Sequence, residues 1–183
     1  MSDCLILVDL QNDYFAGGTM ELADADRAAA NAQRLLAEFR KNKLPVVHIQ
    51  HIAARPDATF FLPQTRGAEI HAMVAPNEGE TVVVKNYPNS FRDTALLDIL
   101  KQNNITTLIL CGAMSHMCID ATTRAAFDLG FSCVVAEDAC ATRDLVFKGK
   151  TIQAAEVHAA FMAALAVPYA RIEETEVIIQ GMA

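Results

Sequence analysis

Three side chains in this sequence have the chemistry of a nucleophile, a proton carrier and a cation, and each stands at or just past a short apolar run. Asp9 ends Cys4–Asp9 and is followed by Gln11, Asn12 and Asp13; Lys85 ends Thr81–Lys85; Cys118 closes the segment Gly112-Ala113-Met114-Ser115-His116-Met117-Cys118. Cys118 is the candidate nucleophile. It is expected at the start of a helix, where negative charge is favoured and a thiol pKa is lowered. The same turn offers backbone N–H groups without carbonyl partners, the material of an oxyanion hole. Asp9 can take the thiol proton and return it to a leaving amine. Lys85 favours the charged forms of both neighbours. Each residue alone also has a plain structural reading: an Asp as a turn residue, a Lys solvated at a strand end, a Cys inert at a helix start. Their convergence on one sheet edge supplies a complete set of roles.

Other reactive residues carry less. His116 suggests a Cys–His pair, but it lies two residues before Cys118 in a tight turn, so it is read as a pocket wall or loop residue. His48 and His51 suggest a metal, with Asp57 and His71 nearby, yet residues three apart on a strand point to opposite faces and no metal-binding pattern accompanies them. They are read as structural or pocket-lining. Arg124 and Arg143 are expected to pair with local acids or support a subunit contact. No GxGxxG and no P-loop is present, and no cofactor or metal is required.

The elements that must position these residues alternate along the chain. Cys4–Asp9, Leu44–Gln50, Thr81–Lys85, Thr106–Cys111, Phe131–Ala136 and Ala170–Glu173 read as strands, the last extending towards Ile179. Ala23–Lys41, Thr94–Gln102 with Asp93 as its cap, about 118–129 with Gly130 as its C-cap, and Thr151–Ala166 read as helices. The pattern predicts an α/β fold of three layers, a six-stranded mainly parallel sheet with helices on both faces. Ligands of such sheets gather beyond the carboxyl ends of the strands. The stretch 51–79 is long and irregular and is read as a lid or a subunit contact. With no repeat or linker, residues 1–183 read as a single domain.

Composition narrows the function. Apolar residues make up 52% and charged residues 20%, so the chain can build a core. Lys and Arg number 15 against 22 Asp and Glu, without a basic cluster, which argues against a nucleic-acid or anionic-membrane partner. No apolar run approaches the ~20 residues of a membrane span. The five cysteines lack metal-site spacing and, without a secretory signal, read as reduced thiols in a cytoplasmic protein.

Leu7-Val8-Asp9-Leu10-Gln11-Asn12-Asp13-Tyr14-Phe15 resembles the opening motif of the isochorismatase-like cysteine hydrolases. Val84-Lys85, with Asn89-Ser90-Phe91 and Thr94-Ala95-Leu96, resembles their lysine segment, and Cys111 to Ala126 resembles their nucleophile segment. Asp128-Leu129-Gly130-Phe131 and Glu137-Asp138-Ala139-Cys140-Ala141 continue the likeness. The resemblance implies an Asp–Lys–Cys triad at Asp9, Lys85 and Cys118. It also implies a cis peptide between Ala113 and Met114, and an oxyanion hole from the amides of Met114 and Cys118. Members of that family cleave C–N bonds of small amides and ureas, while true isochorismatases cleave a vinyl ether without the cysteine. Nicotinamidases carry an Asp-x-His…His metal set near the second strand. Here that stretch reads His48-Ile49-Gln50-His51, without the acid, which argues against a metal and against nicotinamidase activity.

The sequence thus predicts a cysteine amidohydrolase acting on a small carboxamide, carbamoyl or ureido compound through a thioester. Tyr14, Phe15, Phe60, Phe61, Ser90, Phe91 and His116 are the expected pocket walls. A homo-oligomer, dimer or tetramer, is expected. The rival readings are a vinyl-ether hydrolase using Asp9 as acid, a non-catalytic binding protein on the same fold, and a redox-sensing thiol protein.

Overall fold

The computed structural model describes residues 2–182. Six strands form one sheet: β1 (Asp3–Val8), β2 (Val46–His51), β3 (Thr81–Lys85), β4 (Thr107–Ala113), β5 (Ser132–Ala141) and β8 (Arg171–Glu173). Their spatial order is β3-β2-β1-β4-β5-β8, and every pairing is parallel. The order reverses direction between β1 and β4, which opens a crevice at their carboxyl ends.

Both faces of the sheet are covered, which is why its central strands are apolar without alternation. Leu5 and Leu7 point into one core with Ala28, Leu35, Leu36 and Phe39 of α1 (Ala25–Lys41) and Ile178 of α5 (Thr175–Gln180). Cys4, Ile6 and Val8 point into the other. There they meet Leu96 and Leu100 of α2 (Leu96–Gln102), Ala126 of α3 (Asp120–Asp128), and Met162 and Leu165 of α4 (Ala154–Leu165). Full burial of one such aliphatic side chain contributes about 1.5–3 kcal/mol. All five cysteines are buried and unpaired by disulfide.

The α/β class and the six-stranded sheet match the reading from sequence. Several local assignments do not. The chain after Glu173 turns into α5 rather than extending the last strand, and Asp138 anchors that helix by accepting from the backbone N–H and hydroxyl of Thr175 at 2.8 and 2.7 Å. A short antiparallel hairpin, β6 (Leu145–Phe147) with β7 (Lys150–Ile152), precedes α4 and takes Thr151 and Ile152, which the sequence pattern places in that helix. Asp93 does not cap α2: it takes a left-handed φ of 56°, and the cap position is Ala95. The N–H of Leu96 instead donates to Thr94 Oγ1. Cys118 does not open an α-helix. It sits in a single π-turn, Ser115–Ile119, in which the N–H groups of Met117 and Ile119 both donate to the Met114 carbonyl. α3 begins only at Asp120.

The stretch 51–79 contains two short 3₁₀ turns and is stitched to the segment after β1. The N–H of His71 donates to Leu10 O at 2.8 Å, Asn12 N to Glu69 O at 3.0 Å, and Phe61 N to the buried Asp13 carboxylate at 2.6 Å. Gly67 is required beside Asp13, because any Cβ there would overlap that carboxylate. These bonds hold the middle and end of the stretch against the segment after β1. Among the described residues no helix is long and apolar enough to cross a membrane.

Candidate active site

Three strand ends deliver three side chains to one point. β1 stops at Asp9, whose φ of 51° is left-handed, a conformation that Asp tolerates better than most residues. β4 presses against it. Gly112 has a φ of 125°, and a Cβ there would overlap the Val8 carbonyl, so only glycine lets the strand pass so near Asp9. The next peptide, Ala113–Met114, is cis, as expected. The π-turn then carries Cys118 back over the strand ends.

Lys85 Nζ is the hub. It lies 2.7 Å from Asp9 Oδ2, 3.2 Å from Cys118 Sγ and 3.0 Å from His51 Nδ1, and it donates to the Tyr87 carbonyl at 3.1 Å. Asp9 and Lys85 are completely or almost completely buried, and Cys118 is 4% exposed. The Asp9–Lys85 contact is an ion pair by distance whose angle falls outside hydrogen-bond geometry, and no hydrogen-bond partner meets either oxygen of the Asp9 carboxylate among the described residues. Those oxygens are therefore available to a thiol or substrate proton.

The electrostatics correct one expectation. The Cys118 thiol is not activated by lowering its pKa. Burial pushes it up, and the neighbouring Asp9 carboxylate adds to that, against the opposing pull of Lys85. The resting set is thus thiol, carboxylate and ammonium, which buries no net charge. Burial would lower the Lys85 pKa, but Asp9, followed by Cys118, outweighs it and leaves the ammonium held above its ordinary value.

His51 is the site residue that sequence reasoning undervalued. An ammonium has no lone pair, so His51 Nδ1 must accept from Lys85 and its proton sits on Nε2. Burial lowers its pKa and keeps it neutral. Gln11, wholly buried, fixes the His51 backbone: its amide donates to His51 O and Ala68 O, both at 2.8 Å, and its oxygen accepts from His51 N at 2.7 Å. His48 points away, to Glu80 at 2.9 Å, so the two histidines are on opposite faces. Asp9, His51 and Cys118 do present ligand atoms within 4.8 Å of one another, the geometry of a metal site. Lys85 Nζ sits in contact with all three, so an ammonium already fills the space a cation would need, and these residues do not fit a metal.

A cavity of about 430 Å³ opens beside this cluster, lined by His51, Ala53, Phe60, Asn86, Tyr87 and Met117 among others. Larger openings lie at the amino ends of the strands, away from Asp9, Lys85 and Cys118. Of the expected walls, Phe60 lines the cavity. Tyr14 and Phe61 stand behind it, Tyr14 4.6 Å from Phe61 and Phe61 5.0 Å from Phe60 between ring centroids. The others are held elsewhere. Phe15 stacks on His71 at 3.7 Å, Phe91 on Phe131, and His116 Nδ1 meets Thr142 Oγ1 at 2.6 Å. Ser90 is fully buried and binds Thr122 Oγ1 at 2.8 Å, and Thr122 also donates to Pro88 O. That pair fixes the turn whose carbonyls face Lys85. Arg124 pairs with Asp120 at 2.9 Å, whereas Arg143 makes no ion pair among the described residues and contacts Met20 Sδ.

Residues 3–174 match the Isochorismatase domain family. The chain belongs to the isochorismatase family. Its relatives include the family protein YddQ of Bacillus subtilis, 48% identical over 98% of this chain and 100% of that protein. The streptothricin hydrolase of Streptomyces noursei is 38% identical over 77% of this chain and half of its own length. A crystal structure from Oleispira antarctica, assigned as an isochorismatase hydrolase, superposes with a TM-score of 0.95 at 51% identity, over 98% of this chain and 97% of that one. The chain is therefore an isochorismatase-family hydrolase, and the sheet described above is that family's fold.

Proposed function

We propose that this hydrolase is a cysteine amidohydrolase cleaving the C–N bond of a small carboxamide, carbamoyl or ureido compound. The observation that carries the reading is the contact of Lys85 Nζ with both Asp9 Oδ2 and Cys118 Sγ in a buried site. The amide substrate enters the apolar cavity beside Met117 and Phe60, whose lining suits a compact ligand with few polar groups.

In this account Asp9 takes the Cys118 proton as sulfur bonds to the carbonyl carbon. The N–H groups of Met114 and Cys118 hold the oxygen that becomes negative. The C–N bond then breaks, and the proton on Asp9 passes to the leaving nitrogen, releasing ammonia or an amine. Water gives a proton to Asp9 and its oxygen to the thioester carbon. The C–S bond breaks, the proton returns to sulfur, and the carboxylic or carbamic acid leaves. Lys85 stabilises the thiolate as it forms and stays paired with Asp9 through both transfers. His51 holds the ammonium in place. No step needs a metal or a cofactor.

The likeness to streptothricin hydrolase supports hydrolytic chemistry on this fold. The reading also includes a cytoplasmic homo-oligomer, for which the exposed apolar side chains Val146 and Phe147 of the hairpin and Val84 of edge strand β3 are suitable contact groups. The test is ammonia release from a panel of small amides and ureas, with an isochorismate-type vinyl ether alongside, by the wild type and by Cys118→Ala. Amide turnover lost in the variant is the expected result. Turnover of the vinyl ether alone, retained in the variant, overturns the reading.

A further inference from the structure

One hydrogen-bonded string beneath the nucleophile turn, running from a buried serine to a partly exposed glutamate, takes no part in the chemistry above. Ser115 follows Met114 in the turn, is fully buried, and its Oγ lies 2.8 Å from His158 Nδ1 of α4 and 3.3 Å from the Ala141 carbonyl of β5. On the far side of the ring, His158 Nε2 lies 3.2 Å from Glu137 Oε2, also of β5. These are serine, imidazole and carboxylate in line, the order of a serine hydrolase. Ser115 is fully buried and lines neither the cavity beside Cys118 nor the one beside His158, so it does not meet a substrate, and the string must act on the turn itself.

Its donors and acceptors define that action. Both ends, the Glu137 carboxylate and the Ala141 carbonyl, only accept. The serine hydroxyl has one proton and serves either His158 or Ala141. All three links form together only when His158 donates from both ring nitrogens, to Ser115 and to Glu137. Other charged groups around the adjoining cavity are occupied. Arg27 pairs with Asp24 at 3.4 Å, and Asp144 accepts from Ala154 N at 2.7 Å. On the turn side, His116 is engaged with Thr142. Glu137 is thus the carboxylate in contact with His158.

We propose that Ser115, His158 and Glu137 form a positioning relay. It locks the start of the nucleophile turn to β5 and α4 and so sets where the Met114 and Cys118 N–H groups point. None of the three touches the substrate. Its kinetic consequence rests on the amidohydrolase reading: an oxyanion donor displaced by a fraction of an ångström stabilises the transition state less while leaving ground-state binding alone.

The experiment is a double-mutant cycle of Ser115→Ala and His158→Ala on the full chain. Two measurements are made: steady-state kinetics on the amide that the wild type turns over, and backbone amide NMR of Met114 and Cys118 without substrate. Each single variant is expected to lose about 10–100-fold in kcat with KM within about twofold. The double variant should be no slower than the slower single. The Met114 and Cys118 resonances should move alike in both singles. Unchanged kcat, additive losses, or a loss carried by KM would overturn the relay. A wild type inactive on every amide defeats the hydrolase reading instead. The amide resonances then decide the relay alone, and resonances that stay put in both variants reject it.

Discussion

The ammonium of Lys85 lies 2.7 Å from a carboxylate oxygen of Asp9, and neither side chain reaches solvent. A buried ion pair of this kind contributes little net stability, because both ions lose their hydration. Breaking it is another matter. Lys85→Met leaves the Asp9 charge buried without its counter-ion, and the free energy of unfolding is expected to fall by about 3–5 kcal/mol. The double variant Asp9→Asn/Lys85→Met removes both charges and is expected to recover part of that loss while remaining inactive. Urea denaturation of the three proteins reads the difference. Equal stability of Lys85→Met and wild type would mean that the pair is solvated.

The raised pKa of Cys118 makes its resting form the thiol. Alkylation by iodoacetamide requires thiolate. At pH 7 to 8, modification of Cys118 is therefore expected to run at least about tenfold slower than that of a free cysteine peptide. Peptide mapping by mass spectrometry distinguishes Cys118 from the four other buried cysteines. Rapid alkylation persisting to pH 6 would show a resting thiolate paired with Lys85 and would contradict the proton transfer to Asp9.

Asp13 reaches across to the loop that carries Phe60 and Phe61, accepting from Phe61 N at 2.6 Å and Thr19 N at 3.3 Å. In Asp13→Ala a buried N–H loses its acceptor, at a cost of about 1–3 kcal/mol. The aromatic wall is freed with it. The melting temperature should drop and KM should rise more than kcat falls. A variant with wild-type stability and KM would show that the loop is held by its other bonds alone.

A cluster away from the site sets the acid stability. Arg40 binds both oxygens of Glu80 at 2.7 Å, and His48 meets the same carboxylate at 2.9 Å. Arg40, with help from Asn77 N–H and His48, pulls the Glu80 pKa down to about 2, against its burial. A lowered carboxyl pKa favours the folded state above pH 4.5, and that contribution drains away as the pH falls towards 2. Burial lowers the His48 pKa, so its contribution is complete above pH 6.5 and declines as the pH falls below that. Glu80→Gln is expected to melt at a lower temperature at pH 7 and to show a flatter decline between pH 4.5 and pH 2. An unchanged pH profile would remove Glu80 from the account.

The meeting of Asp9, Lys85 and Cys118 was legible because each ends or follows an apolar strand, and the parallel order brings strand ends together. His51 was harder to see. Its role depends on β2 ending at the same height as Lys85, a register between strands that the sequence does not display. The expected low Cys118 pKa failed for a related reason: a helix start was inferred, but depth of burial and the distance to Asp9 are tertiary quantities. Ser90 and Phe91 lie beside the lysine in sequence yet turn into Thr122 and Phe131. The Ser115–His158 contact joins residues 43 positions apart. Helix α5 was missed because its capping partner, Asp138, is distant in the chain.

The central claim is that Cys118 carries the acyl group, and intact-protein mass spectrometry after rapid acid quench tests it most directly. With a slowly hydrolysed amide, the account requires an adduct of the acyl mass on Cys118 in the wild type. It requires neither adduct nor ammonia in Cys118→Ala. Ammonia release by Cys118→Ala at a rate near that of the wild type, or an adduct mapped to another residue, would contradict it.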